Sequence, residues 1–214
     1  MKIKVIFFAT LCMAFTACNS SLDNKKVGEK NADAVEMIDA ESSNHLTFKG
    51  VPIDGTLKQY VARMKKAGFK YVGAQDGVAI LQGDFAGYKG CEVYVSTLDG
   101  YDVVSNIVVK FPDEEIWRRL YGNYTDLKEM LTEKYGKPSL VNEEFQDSPY
   151  LDDDNDRMYA VSMDRCKYDT HFETEKGEII LWIEHNDFSS TFVCLQYLDK
   201  LNRNSIKQQA ISDL

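Results

Sequence analysis

Residue types that bind metal ions cluster in two parts of this chain of 214 residues. Asp152, Asp154 and Asp156 alternate in the way that oxygen ligands do at the start of a calcium-binding loop. Arg157 stands where such a loop needs glycine for its turn, and Met163 stands where it needs a bidentate glutamate. We therefore expect a solvated acidic loop here, with weak calcium binding as the alternative.

A second metal site could be built from histidines. His171 and His185 lie on neighbouring predicted strands, beside Glu173 and Glu184. Because side chains alternate between the two faces of a strand, exposed sheet residues explain this pattern better than ligands do. We expect no bound metal.

Sequence motifs for catalysis are missing from the chain. It contains no His-Glu-x-x-His, no Gly-x-Ser-x-Gly, no Ser-x-x-Lys and no glycine-rich phosphate loop. Carboxylates are abundant, but two carboxylates that are close in sequence form a catalytic pair only if the fold places them at the right distance. We expect a protein that is not an enzyme and has no cofactor.

Three cysteines lie beyond the N-terminal segment, and their spacing matches no zinc site. Cys91, Cys166 and Cys194 each fall in a strand-like run, where cysteine commonly acts as a small buried hydrophobic residue. An oxidising compartment permits one disulfide, for which Cys166 with Cys194 is the pair to test. We expect buried thiols, with this disulfide as the alternative.

Aromatic residues suggest a binding surface. The chain has 12 Tyr, 11 Phe and 2 Trp, more than a core of this size needs. Exposed Tyr and Trp favour protein interfaces because they add a large apolar area at a low entropy cost. The predicted partner surface consists of Tyr88, Tyr94, Tyr101 and Tyr168.

The first residues resemble a bacterial export signal. Lys2 and Lys4 precede an apolar run over 5–15, which is shorter than the roughly 20 residues that span a membrane. The ending Phe15-Thr16-Ala17-Cys18 resembles the lipobox of bacterial lipoproteins. This resemblance implies that residues 1–17 are a signal peptide and that Cys18 is lipidated. An ordinary secretory peptide is the alternative.

The following segment and the net charge bear on location and partners. Residues 18–45 are polar and are expected to form a flexible tether. No acidic run directly follows Cys18, which favours an outer-membrane anchor facing the periplasm over the cell surface. Removal of Lys2 and Lys4 makes the formal charge of −9 still more negative, so nucleic-acid binding is excluded.

Hydrophobic periodicity predicts an α+β fold over 46–201, with a frayed tail over 202–214. The predicted sheet is antiparallel and curved, with the helices packed on one of its faces. Two α-β repeats over 46–112 and 113–201 would give the same order of elements. The predicted helices cover 56–67, 113–121 and 125–135, and the predicted strands cover 70–73, 78–84, 90–97, 102–111, 139–144, 159–173, 178–185 and 191–197.

Two segments resemble a known family. FKGVPIDGTLKQYVARMKKAGF and YTDLKEMLTEKYGKP are similar to segments of uncharacterised lipoproteins of the Bacteroides group. The general plan resembles that of the β-lactamase inhibitor protein and of small outer-membrane assembly lipoproteins. This resemblance implies helices packed on an antiparallel sheet and a protein-binding role. We therefore expect a lipid-anchored envelope protein that binds another envelope protein, with small-ligand or glycan binding as the alternative.

Lipidation can be tested with one substitution. Cys18→Ser should move the protein from the membrane fraction to the soluble fraction, because burial of acyl chains contributes about 0.8 kcal/mol per CH₂. Cys12→Ser, which alters only the apolar run, is the control and should leave the protein in the membrane. Phase partitioning in detergent checks both variants, and membrane retention of Cys18→Ser would contradict the lipobox.

Overall fold

The structure is a computed structural model of the chain. It describes residues 44–98, 100–146, 151–186, 190–204 and 211. The predicted signal peptide, Cys18 and the tether up to residue 43 lie outside the described residues. A short helical segment covers 200–204. The named elements are β1 Thr47–Phe48, β2 Val51–Pro52, α1 Leu57–Lys66, β3 Lys70–Gln75, β4 Val78–Phe85, β5 Tyr88–Thr97, β6 Val104–Lys110, α2 Trp117–Tyr135, β7 Leu140–Phe145, α3 Asp154–Ser162, β8 Cys166–Glu173, β9 Gly177–Asn186 and β10 Ser190–Asp199.

Eight strands form one antiparallel sheet in the order β3-β4-β5-β6-β10-β9-β8-β7. Each group of four consecutive strands is a meander, and the last strands of the two meanders, β6 and β10, pair at the centre. The predicted α+β class and the antiparallel sheet are confirmed. β1 and β2 form a separate small hairpin that precedes α1.

Helix α1 begins where the sequence predicts. Thr56 and Gln59 form a capping box, in which each side chain accepts the other residue's backbone N–H. Tyr60 and Met64, one turn apart, are fully buried in the core. Capping and this apolar stripe together account for the position of α1.

Helix α2 is continuous where the sequence predicts two helices. Gly122 lies at the predicted break, and glycine in a helix interior costs about 1 kcal/mol relative to alanine. That cost is offset by one apolar stripe that runs through the whole helix and is buried, consisting of Trp117, Leu120, Tyr124, Leu127 and Leu131. Within the described part of the chain, no helix is both long and apolar enough to cross a membrane.

Helix α3 replaces the beginning of a predicted strand. The strand predicted over 159–173 begins only at Cys166, because residues up to Ser162 are helical. Asp153 caps α3 by accepting the N–H groups of Asn155 (2.8 Å) and Asp156 (2.9 Å). This cap stabilises a helix in a segment whose apolar pattern is weak.

The helices and one side of the sheet share a single core. Tyr60 of α1 and Tyr124 of α2 belong to the same buried cluster as alternate residues of the sheet. We call this side of the sheet the helix-covered face. Its central side chains are Val93 and Val95 of β5, Ile107 and Val109 of β6, Leu195 and Tyr197 of β10, and Ile179, Leu181 and Ile183 of β9.

The folded domain extends slightly beyond the predicted limits of 46 and 201. His45, which the prediction assigns to the tether, is buried, and its Nδ1 lies 3.2 Å from Oδ1 of the fully buried Asp199. Asp199 also accepts the backbone N–H groups of Leu46 (2.8 Å) and Asn202 (3.0 Å). Asn202 is itself buried and donates to the carbonyl oxygen of Ile53 at 3.1 Å. These contacts hold both ends of the domain together.

Loss of the hydroxyl should change the free energy of unfolding in opposite directions at two buried tyrosines. Among the described residues the Tyr60 hydroxyl has no hydrogen-bond partner, whereas the Tyr124 hydroxyl shares a hydrogen bond with Thr170. Tyr60→Phe should raise the free energy of unfolding by about 1 kcal/mol, because it removes a buried unpaired group. Tyr124→Phe should lower it by about 1–2 kcal/mol, because Thr170 loses its partner.

Denaturant titration of both variants measures the two changes. Each tyrosine serves as the control for the other, since both side chains are fully buried. Equal destabilisation by the two substitutions would contradict the assigned partners.

Candidate functional site

The side of the sheet opposite the helices is called the open face. Its residues alternate with core residues along β4, β5, β6, β8 and β9, so the same register that builds the core also fixes this surface. On β10, Phe192 and Cys194 of this face are themselves buried. Ile80, Tyr94, Val108, Ile180 and Trp182 are apolar or aromatic, are only partly buried and stand outside the core cluster. Among the described residues, the buried side chains of α1 and α2 all belong to the core cluster on the other side of the sheet.

A central row crosses seven strands of the open face. The strand register places its members side by side, and neighbouring strands lie about 4.8 Å apart, so the row is about 29 Å long. In sheet order the row consists of Ile80, Tyr94, Val108, Gln196, Ile180, His171 and Leu140. We call these residues the central row. It combines apolar and hydrogen-bonding side chains in one line.

Side-chain hydrogen bonds hold the polar residues beside the central row. Nε2 of Gln196 donates to Oδ1 of Asn106 at 2.9 Å, and Nδ2 of Asn106 donates to Oγ of Ser96 at 3.0 Å. This chain links β10, β6 and β5 across the middle of the sheet. These hydrogen bonds hold the polar side chains of the open face in fixed orientations.

Tyr94 lies on β5, in the half of the central row that the first meander contributes. Its hydroxyl donates to Oε2 of Glu92, and burial, reinforced by this hydrogen bond, raises the pKa of Tyr94. The phenol is therefore neutral throughout the physiological pH range, and its ring presents a partly buried apolar surface.

Trp182 on β9 and His171 on β8 lie in the half of the open face that the second meander contributes. Nε1 of Trp182 donates to Oε2 of Glu184 at 3.1 Å. Nδ1 of His171 lies 2.9 Å from Oε1 of Glu178, and its Nε2 lies 3.2 Å from Oδ2 of Asp169. Carboxylates thus surround the aromatic and imidazole rings of β8 and β9.

The four predicted partner-surface tyrosines do not share a face. Tyr94 lies on the open face, and Tyr101 is exposed in the connection between β5 and β6. Tyr88 lies on the helix-covered side, with its ring 5.0 Å from that of Phe111. Tyr168 packs under α2, 5.3 Å from the ring of Trp117.

Tyr168 belongs to an aromatic cluster that stabilises α2 against β8. Burial raises its pKa to about 12, as expected of a phenol among other rings. The prediction placed Tyr168 on the surface because the chain has more tyrosines than its core was expected to hold. The predicted partner surface also omitted Trp182, which alternation along β9 places on the same face as Ile180.

A solvated acidic loop was expected at Asp152, Asp154 and Asp156, with weak calcium binding as the alternative, but the segment from Asp154 onward is helical. Asp154 and Asp156 lie in the first turn of α3, where acidic side chains are favoured by the helix dipole. Oδ1 of Asp154 lies 3.8 Å from Nη1 of Arg157, and Asp152 precedes the cap. Within the described ranges, no group of three or more His, Cys, Asp or Glu residues could hold a metal ion.

The structure has free thiols and not the alternative Cys166–Cys194 disulfide. Both cysteines are free thiols, as is Cys91. Cys166 lies on β8 and Cys194 on β10, with β9 between them. Strand alternation also directs the two side chains to opposite faces, since Cys194 pairs with Trp182 on the open face and Cys166 shares its face with Tyr168.

Two hollows accompany these surfaces. One of about 220 Å³ lies between α2 and the sheet and is mostly apolar, lined by Phe85, Ala86, Leu127, Met130, Leu131, Lys134, Leu195 and Tyr197. A more open one of about 360 Å³ adjoins His45, Tyr135 and Lys176. The first is smaller than the usual 300–1,000 Å³ of ligand pockets, and the second lies near the lower end of that range.

Compared with protein-family models, with curated proteins and with solved structures, the chain matches none of them.

The reactivity of the three thiols tests whether they are free and buried. Burial raises the pKa of Cys91 to about 11 and that of Cys166 to about 12, and it raises the pKa of Cys194 well above its usual value. Because the thiolate is the reactive form, the native chain without residues 1–18 should react slowly with a thiol reagent at pH 8. In denaturant and without reductant, all three thiols should react. If only one thiol reacted in denaturant, two of the three cysteines would be joined in a disulfide, which would contradict the free thiols.

Proposed function

We propose that this chain is a lipid-anchored protein of the cell envelope whose domain binds another protein through the open face, without catalysis. One observation carries the proposal. The apolar and aromatic side chains of the open face stand outside the core although they lie on the same strands as core residues. Sheet faces of this kind are normally covered by another layer, and here a partner would provide it.

The chemistry of the open face supports binding over catalysis. The residues form a broad row and not a cleft, and their polar atoms are already bonded to one another. Tyr and Trp side chains are the types that contribute most to protein interfaces. Tyr94 and Trp182 are therefore the proposed anchors, and the lipid on Cys18 would hold them at the membrane surface.

We further propose that 46–112 and 113–201 are two α-β repeats. Each contains a helix, a glycine with positive φ after the helix, and a four-stranded meander; the glycines are Gly68 and Gly136. The sheet order is symmetric about the β6–β10 pair, which supports a duplicated unit. Helix α3 interrupts the symmetry, because the equivalent β3–β4 connection is a tight turn.

A second candidate function is the binding of a small apolar ligand. The hollow of about 220 Å³ supports it, since Leu127, Leu131 and Leu195 line it and Met130 is exposed at its edge. Met130→Trp would fill this hollow without altering the open face. Loss of function in that variant alone would favour the small ligand.

In-cell photocrosslinking tests the proposed function. p-Benzoylphenylalanine placed at Val108 or Ile180, in the full-length protein, should capture a protein partner, because both positions lie in the central row. The matched control is Tyr159, which is 62% exposed and lies on α3, outside the sheet. The double variant Tyr94→Ala/Trp182→Ala should reduce capture about tenfold or more, as expected for loss of two aromatic anchors.

Two controls make this result decisive. Tyr159→Ala should leave capture unchanged, and thermal unfolding should show that the double variant is still folded. Capture at Tyr159 only, or no capture at either position in the central row, would contradict binding by the open face.

A further inference from the structure

We propose that the partner binds with a basic amphipathic helix that lies along the central row, across the strands. This inference rests on the proposed function and specifies the chemistry of the partner. It follows from the charges of the open face, from the charge of the rest of the chain and from the spacing of the central row.

Carboxylates outnumber ammonium groups on the open face. Its lysines are Lys70, Lys110 and Lys167, and Nζ of Lys110 already lies 2.8 Å from Oδ1 of Asp113. Strand alternation assigns six carboxylates to the same face: Glu92, Glu144, Asp169, Glu173, Glu178 and Glu184. A partner with Lys and Arg residues would complement this surface.

The carboxylates lie on both sides of the central row. Glu92 and Asp169 belong to the neighbouring row on one side, which also contains Trp182. Glu178 belongs to the neighbouring row on the other side. A helix with an apolar stripe on the central row would therefore direct basic residues on both of its flanks toward carboxylates.

Neither the chain's own N-terminal segment nor a second copy fits this surface. Residues 19–43 contain Lys25, Lys26 and Lys30 against a larger number of acidic residues, so they carry a net negative charge. A second copy carries the formal charge of −9 of the whole chain. Both would bring like charges to an acidic face, which is unfavourable.

The dimensions of the central row favour a helix. A helix presents one apolar side chain or pair per turn of 5.4 Å, close to the strand spacing of about 4.8 Å. The row of about 29 Å matches a helix of about 19 residues. A helix already packs on the other face of the same sheet, where α2 contacts β9 and β10.

Neutralisation of three carboxylates tests the charge of the partner. In full-length protein carrying the crosslinker at Val108, the triple variant Glu92→Gln/Glu178→Gln/Glu184→Gln should lower the crosslinking yield about tenfold, because three partly exposed ion pairs are lost. Glutamine keeps an acceptor oxygen for Tyr94, His171 and Trp182. The control is Glu115→Gln/Glu129→Gln/Glu133→Gln, which removes the same charge from exposed positions outside the sheet.

Mass spectrometry of the crosslinked peptide identifies the contacting segment. We expect a segment of net positive charge with apolar residues three and four positions apart, and a yield that falls when salt is raised before irradiation. A captured segment that is neutral or acidic, or a yield equal in the two triple variants, would overturn the basic helix and leave binding by the open face intact. Absence of any crosslink at Val108 and Ile180 would overturn both.

Discussion

The pairing of β6 with β10 is the constraint on which the rest of the structure depends. Five residue pairs, from Cys194 with Lys110 to Leu198 with Asn106, join two four-stranded meanders. Each meander alone would have a small core and two free edges. The side chains of β6 and β10 point alternately to the core and to the open face. The pairing of these strands therefore joins the two halves of the core and also the two halves of the open face. A shift of this register by one residue would exchange the two faces on one half of the sheet.

Local signals were sufficient for the elements whose ends are chemically marked. The Thr56–Gln59 capping box defines α1, and the Asp76-Gly77 turn, with positive φ at both residues, defines the β3–β4 hairpin. Local signals failed where tertiary contacts outweighed them. Gly122 resembles a helix break, but buried residues on both sides of it keep α2 continuous. Residues 154–162 lack a strong apolar stripe, so the cap at Asp153 was the only indication of α3.

The candidate site was less predictable than the fold. Alternation separates Ile179, Leu181 and Ile183 from Ile180 and Trp182, but both sets are apolar or aromatic, so the pattern cannot tell which one the helices cover. That choice depends on how the chain enters the sheet from α1 and α2. The surface tyrosines were misassigned for the same reason, since Tyr88 and Tyr168 face the helices while Tyr94 does not.

The buried contacts of Asp199 also bear on the connectivity of the chain. Because Asp199 holds Leu46 and Asn202, the two ends of the folded domain adjoin each other. Proteins with adjoining ends tolerate circular permutation, in which the ends are linked and the chain is opened at an exposed turn. The Asp76-Gly77 turn at the edge of the sheet is such a place. A permuted chain would keep every strand neighbour of this sheet, although β1, β2, α1 and β3 would then follow β10 in the chain.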